Sequence, residues 1–92
     1  MQTIWITGGS SGIGFAVAKK FLDKNWCVII SSSNIKKLED AKKKLKKNTN
    51  NNKIYSLVCD VTKYDDVNET VSKIEKEISP ISLALLGAAA YS

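Results

Sequence analysis

The chain has 92 residues, which is long enough for one domain with its own core. With 43% hydrophobic and 25% charged residues, its composition is that of a globular protein and does not indicate an entirely disordered chain. Its 14 basic residues are all lysines, against 9 acidic residues, which gives a formal net charge of +5 at pH 7. Because the chain has no histidine and only 2 cysteines, it excludes a Ser-His-Asp or Cys-His nucleophile, a histidine-ligated metal, a disulfide scaffold and a four-cysteine zinc site.

The first elements are a short strand and a helix. The β-branched run at residues 3–7 predicts the strand, and the helical period over residues 12–24 predicts the helix. Ile13, Val17 and Phe21 recur every four residues, so we expect them to form the buried face of that helix.

A second strand and an amphipathic helix follow. Residues 27–30 are continuously apolar, and a polar cluster closes the run. From Ile35, apolar residues at spacings of three and four are separated by lysines, which predicts a helix with one buried face. The asparagine-rich residues 48–52 indicate a loop.

The last elements repeat the alternation of strand and helix. Residues 54–59 predict a third strand, and Thr62 and Asp65 have the spacing of a capping box at a helix start. That helix is expected to stop before Pro80, and residues 81–86 predict a fourth strand.

The order β-α-β-α-β-α-β with continuous apolar strands predicts an α/β fold, a Rossmann-like three-layer sandwich around a parallel sheet. Right-handed crossovers place the first two helices on one face and the third on the other. The expected strand order is 3-2-1-4, within a single unit that spans residues 1–92.

A glycine-rich loop joins the first strand to the first helix. Gly8 permits a tight exit from the strand, Gly12 lets a pyrophosphate approach the backbone, and Gly14 lets the helix pack close to the sheet. The predicted phosphate-binding residues are Gly8, Ser10, Ser11, Gly12, Ile13 and Gly14. The alternative is a glycine turn that serves packing alone.

The pattern Thr-Gly-x-x-x-Gly-Ile-Gly resembles the cofactor loop of the short-chain dehydrogenase/reductase family. A second match is Asp60-Val61 after the third strand, where the resemblance implies contact with an adenine ring. A third, weaker match follows the fourth strand, where Gly87 stands in place of the family's Asn and Ala89 in place of its Gly. The resemblance implies a dinucleotide-binding half-domain of an oxidoreductase, without the family's C-terminal catalytic part.

The end of the second strand bears on the choice of dinucleotide. An acidic residue there would bind the ribose 2′-hydroxyl of NAD, but the chain has Ser32 and Ser33, followed by Lys36 and Lys37. Hydroxyls and nearby ammonium groups suit a 2′-phosphate, so we predict NADP, with NAD as the alternative.

The family resemblance also implies a catalytic Tyr-x-x-x-Lys. Tyr55 is followed four residues later by Cys59 and Tyr64 by Asn68, while Tyr91 has no residue at that spacing. We therefore expect no catalytic residue and no metal site in these 92 residues, and no activity from this chain alone.

The predicted fourth strand, residues 81–86, would form an uncharged apolar edge, which predicts a homo-oligomer joined there. A non-catalytic remnant that self-associates is the alternative function.

Eight lysines lie between Lys36 and Lys53, but without arginine or interleaved aromatic residues they do not favour nucleic acid. Without a signal-like or membrane-spanning segment, a cytoplasmic chain with no membrane partner is expected. Cys27 and Cys59 are expected to be core residues, too far apart for a disulfide.

Overall fold

A computed structural model describes residues 2–8 and 12–86. Its elements in chain order are β1 (Thr3–Thr7), α1 (Gly12–Asp23), β2 (Cys27–Ser32), α2 (Ile35–Lys47), β3 (Ile54–Val58), α3 (Tyr64–Glu77) and β4 (Leu83–Leu85). Among the described residues, no helix has the length and apolar character needed to cross a membrane.

The strands form one parallel sheet in the order β3-β2-β1-β4, which confirms the predicted topology. β1 pairs with β2 along its whole length, from Thr3 opposite Cys27 to Thr7 opposite Ser31. On its other side β1 pairs with the much shorter β4, where Ile4 lies opposite Leu83 and Ile6 opposite Leu85.

Alternate residues of the strands supply two separate cores. On one face, Ile4, Ile6, Val28 and Ile30 pack with buried residues of α1 and α2. On the other face, Trp5 and Ile29 pack with Ile74 of α3. Two helices therefore cover one face and one helix covers the other, as predicted.

The face that α1 buries differs from the prediction. Gly14, Ala18 and Leu22 are the buried residues of this helix, whereas Ile13 is 62% exposed and Val17 and Phe21 are half-buried. The small residues lie against the sheet because they let the helix approach it closely. The spacing of the large apolar residues therefore identified the partly exposed side of α1, and not the residues that lie closest to the sheet.

The predicted capping box at the start of α3 was wrong. The N-cap is Lys63, whose side chain makes no capping hydrogen bond. The Thr62 hydroxyl donates to Asp60 Oδ1 at 2.6 Å, so it closes a local turn ahead of the helix. The Thr62 hydroxyl therefore bonds to Asp60, two residues earlier, and not to the backbone amides at the start of α3, as the capping box predicts.

The fourth strand begins two residues later than predicted. The Ile81 backbone N–H donates to Glu75 Oε2 of α3 at 3.1 Å, and the Ser82 N–H donates to the Thr3 carbonyl at 2.9 Å. Because Glu75 holds the Ile81 amide, this residue belongs to the turn after α3 and β4 runs only over Leu83–Leu85.

Both cysteines are free, buried members of the α3-side core, as expected. Burial raises the pKa of the Cys27 thiol, against smaller opposing effects of the Thr3 hydroxyl and the Lys53 ammonium. These thiols are therefore small core groups and not reactive surface groups.

Candidate functional site

The carboxyl ends of β1, β2 and β3 meet at one edge of the sheet, where backbone hydrogen bonds join the segments that leave them. The Gly8 N–H donates to the Ser31 carbonyl at 2.8 Å, and the Cys59 N–H donates to the Ser32 carbonyl at 3.1 Å. The residues that follow β1 and β3 are thus held against the end of β2. This edge is the usual ligand site of open parallel sheets.

Two glycines shape the exit from β1. Gly8 has φ 74° and Gly12 has φ 60°, in the left-handed region that side chains rarely adopt. A Cβ added at Gly12 would meet no heavy atom within 4 Å among the described residues. The backbone conformation therefore favours glycine there, and no described residue fills the space that a Cβ would take. The predicted site residues Ser10 and Ser11 lie outside the described residues.

The start of α1 is a suitable anion site. Ile13 and Gly14 lie in its first turn, where backbone amides have no partner within the helix and the dipole is positive. That turn contains no acidic residue that would repel an anion. Gly14 is buried against the sheet, so the helix start is held close to the β1 exit.

The end of β2 carries hydroxyls and leads into the first turn of α2. Ser32 is half-buried, and its Oγ accepts a hydrogen bond from the Asn34 N–H at 3.1 Å, while Ser33 is exposed. Asn34 is the N-cap of α2, and its Oδ1 accepts from the Lys37 N–H at 3.0 Å. This capping role was not predicted, although an asparagine just before a helical repeat is its usual sequence signal.

The surroundings of Ser32 and Ser33 are free of acidic groups on the α2 side. No acidic residue lies in the first turn of α2, and Lys36 and Lys37 in that turn are exposed. The end of β2 therefore offers hydroxyls, and the helix start beside it offers cationic side chains.

Asp60 and Val61 follow β3 at the same edge. Asp60 Oδ1 accepts hydrogen bonds from the Thr62 hydroxyl at 2.6 Å and the Thr62 N–H at 3.0 Å. These bonds, the hydroxyl one first, hold the pKa of the Asp60 carboxyl below its ordinary value. Asp60 is therefore a fixed carboxylate acceptor, and Val61 beside it presents an apolar side chain that is 45% exposed.

The described site residues thus come together at one edge of the sheet. Gly8 follows β1, Gly12 and Gly14 lie in the first turn of α1, Ser32 ends β2, and Asp60 follows β3. Gly87 and Ala89, the weaker match after β4, lie outside the described residues. The arrangement offers amides for an anion, hydroxyls and ammonium groups for a second anion, and a carboxylate beside an apolar side chain.

A polar cleft of about 570 Å³ lies at the opposite edge of the sheet, lined by Leu22, Asp23, Asn25, Lys47, Asn48, Thr49, Asn50 and Asn51. Asn51 Nδ2 donates to the Leu22 carbonyl at 3.1 Å and to the Trp26 carbonyl at 2.8 Å. Its Oδ1 accepts from the Lys53 N–H at 2.9 Å. The asparagine-rich segment was predicted as a loop. Asn51 also joins this loop by hydrogen bonds to the end of α1 and to the connection before β2.

The sequence profile of the family described as short chain dehydrogenase matches residues 2–91. Chlorophyll(ide) b reductase NOL from Oryza sativa is 34% identical over 91 residues, which are 97% of this chain and 26% of that protein. The NADPH-dependent 3-dehydrocapnine reductase of Ornithobacterium rhinotracheale is 38% identical over 86 residues, which are 94% of this chain and 29% of that protein.

Solved structures agree with the fold. The NADPH-bound short chain oxidoreductase of Pseudomonas aeruginosa with an atypical catalytic center has a TM-score of 0.86 and 25% identity, over 90% of this chain and 32% of that one. Menthone neomenthol reductase of Mentha piperita has a TM-score of 0.84 and 24% identity, over 90% of this chain and 30% of that one. The chain therefore spans about 26–32% of the lengths of these similar proteins.

Proposed function

Because the chain belongs to the short-chain dehydrogenase/reductase family, we propose that it is the dinucleotide-binding part of an NADP(H)-dependent oxidoreductase. The observation that carries this proposal is the β1–α1 connection, in which two left-handed glycines lead into a helix start without an acidic residue. A nicotinamide dinucleotide, when bound, supplies or accepts the hydride. The residues of this chain bind and orient it.

The pyrophosphate would lie at the start of α1. No described residue occupies the space beside Gly12 through which a phosphate would approach the backbone, and the first-turn amides of Ile13 and Gly14 would donate to that phosphate. Gly8 sets the direction of the connection, and Ser10 and Ser11 complete the proposed loop. The burial of Gly14 supports this role, because it fixes the helix start relative to the sheet.

The preference for NADP over NAD would come from the end of β2. Ser32 and Ser33 would face the ribose 2′-phosphate, and Lys36 and Lys37 would supply positive charge nearby. Absence of a carboxylate at this strand end removes the group that favours the 2′-hydroxyl of NAD. The relative named as NADPH-dependent, at 38% identity, supports the same preference.

The adenine ring would lie against the segment after β3. The hydrogen-bonded Asp60 carboxylate is a suitable acceptor for an exocyclic amine, and the exposed Val61 side chain offers an apolar contact to the ring face. Thr62 holds that carboxylate in its charged form and in one orientation.

We propose that hydride transfer needs residues from outside these 92. The chain has no Tyr-x-x-x-Lys, so it contributes cofactor binding and not the acid-base group. Family membership and the left-handed conformations of Gly8 and Gly12 favour this function over that of a non-catalytic remnant. A cytoplasmic location also stays a prediction, which imaging of a fluorescent fusion would test.

We also propose a homodimer joined along β4. Among residues 2–8 and 12–86, this strand pairs only with β1. Leu83 within it is 45% exposed, and Leu86, just after it, is 58% exposed. Exposed leucines on an unpaired strand edge favour pairing with a second strand. A monomer mass in light scattering at high micromolar concentration would refute the dimer.

A charge placed at the end of β2 tests the cofactor proposal. Ser33→Asp puts a carboxylate where the 2′-phosphate would lie, and we expect NADPH to bind at least about tenfold more weakly, since like charges a few ångströms apart repel by over 1 kcal/mol. NADH affinity should be unchanged or higher. The matched control is Ser72→Asp, a serine of α3 that is also exposed and lies on the other side of the sheet. Equal effects of the two variants would refute the assignment.

A further inference from the structure

The outer surface of α2 is a dense cluster of lysines. The helix packs on the sheet through Leu38, Ala41 and Leu45, and the rest of its circumference is largely basic. We call the following residues the lysine face: Lys36, Lys37, Lys42, Lys43, Lys44, Lys46 and Lys47. Six of these seven residues are exposed, and Lys42 is half-buried.

The charge of the molecule is segregated between the two faces of the sheet. α2 has seven lysines and two carboxylates, a net charge of +5 that equals the charge of the whole chain, so the rest of the chain is neutral. α3, on the opposite face, has five carboxylates and two lysines, a net charge of −3. The protein is therefore positive on one side and negative on the other.

This charge is greater and more extended than a dinucleotide needs. Lys36 and Lys37 lie at the helix start beside Ser32 and Ser33, whereas Lys47 is about 16 Å further along the helix axis at 1.5 Å per residue. The distal lysines therefore point to a second, extended anionic partner.

We propose that the lysine face binds the surface of an anionic lipid bilayer. Because α2 packs on the sheet through one side only, its lysines form a broad layer of charge on the outside of the molecule, which suits a plane of headgroups. α1, the other helix on this face, carries a shallow apolar depression lined by Ile13, Ala16, Val17, Lys20, Phe21 and Lys24. A lipid interface accommodates both apolar and cationic groups, whereas a phosphate backbone takes only the cations.

The proposal concerns peripheral contact and does not depend on cofactor binding. It departs from the expectation of no membrane partner, which followed from the sequence having no spanning segment. Each lysine near an anionic membrane contributes about 1 kcal/mol of attraction. The acidic α3 would face away from the membrane, because the molecule is 20 Å across in its smallest dimension and charge is screened over about 8 Å at physiological salt.

Vesicle co-sedimentation of the 92-residue chain tests the proposal. The probes are vesicles of phosphatidylcholine alone and of phosphatidylcholine mixed with phosphatidylserine, and duplex DNA serves as the competing polyanion. We expect binding to the phosphatidylserine vesicles only, weakened by salt. The double variant Lys43→Gln and Lys47→Gln should lower that binding about 30-fold, since two lysines contribute about 2 kcal/mol.

The matched control is Lys73→Gln with Lys76→Gln, two exposed lysines of α3. It removes the same net charge, and we expect binding to change by no more than about twofold because α3 lies beyond the screening length. Equal losses in both double variants would overturn the proposal, because net charge alone would then be responsible. Failure to sediment with anionic vesicles, or binding to duplex DNA without binding to vesicles, would also overturn it.

Discussion

The two sides of β1 differ sharply, although both are lined by apolar strands. On the β2 side, β1 makes five residue pairings, and both strands are buried, apart from half-buried Ser32. On the β4 side, only three residues pair, and two of the three residues of β4 are exposed. Apolar composition thus predicted both strands, but burial depends on what covers them.

The two proposed functions lie on opposite sides of β1. The covered side carries the ends of β1, β2 and β3, where the proposed dinucleotide site lies. On the other, open side, β4 has no partner strand besides β1 in the part of the chain that the structure describes. The proposed cofactor site and the proposed dimer interface can therefore coexist in one molecule.

The largest expected effect is a difference in the loss of stability when leucines on the two sides of β1 are replaced. Leu22→Ala removes a side chain that is 1% exposed in the α1–α2 core, and we expect the free energy of unfolding to fall by about 2–5 kcal/mol. Leu83→Ala, at a position 45% exposed on β4, should lower it by less than about 1.5 kcal/mol. Urea denaturation at low protein concentration would measure both. Equal losses would contradict the contrast.

The next effect concerns association through β4. Leu83→Lys places a charge on the open side, and we expect it to raise the dimer dissociation constant by roughly 10- to 100-fold, the equivalent of losing a buried leucine. Tyr55→Lys is the control, since Tyr55 is 39% exposed on β3 at the other edge of the sheet. Sedimentation equilibrium would compare the two variants. Dissociation caused by the control alone would move the interface to β3.

A smaller effect is expected at Gly12. Gly12→Ala should lower stability by about 1–2 kcal/mol because its φ is 60°, whereas Gly12→Asn should be better tolerated in that conformation. Both variants introduce a Cβ into the proposed pyrophosphate space, so both should weaken NADPH binding. Thermal melts and binding titrations together would separate the two effects. Undiminished NADPH binding by Gly12→Asn would place the pyrophosphate elsewhere.

The smallest effect is a pH dependence at Asp60. Its pKa is lowered in the folded state, so its contribution to stability is present above its unfolded pKa of about 3.9 and is lost as the pH falls through the folded value. The difference in Tm between the natural chain and Asp60→Asn should therefore be largest near neutral pH and should shrink below about pH 4. A difference that grows with acidification would contradict the sign.

Periodicity and turn residues were sufficient for the order of elements and the sheet topology, because continuous apolar strands and short connections leave few alternatives. They did not predict the features that depend on small side chains or on single hydrogen bonds. Gly14 and Ala18, which have little hydrophobic signal, form the buried face of α1. Thr62 bonds to Asp60 and leaves the start of α3 without a side-chain cap, and Glu75 takes the amide of Ile81 and delays β4.

The candidate site was predictable to the extent that it depends on strand ends. Gly8, Ser32 and Asp60 follow neighbouring parallel strands, so topology alone brings them to one edge. The hydrogen bonds that orient them were not predictable, because they join residues such as Gly8 and Ser31 whose pairing depends on the register.

Binding of NADPH and NADH to the purified chain tests the central claim most directly. Titrations followed by cofactor fluorescence would give both dissociation constants under the same conditions. The account predicts saturable binding of both cofactors, tighter for NADPH. Tighter NADH binding would contradict the assignment of Ser32 and Ser33, and absence of binding by either cofactor would contradict the proposed function itself.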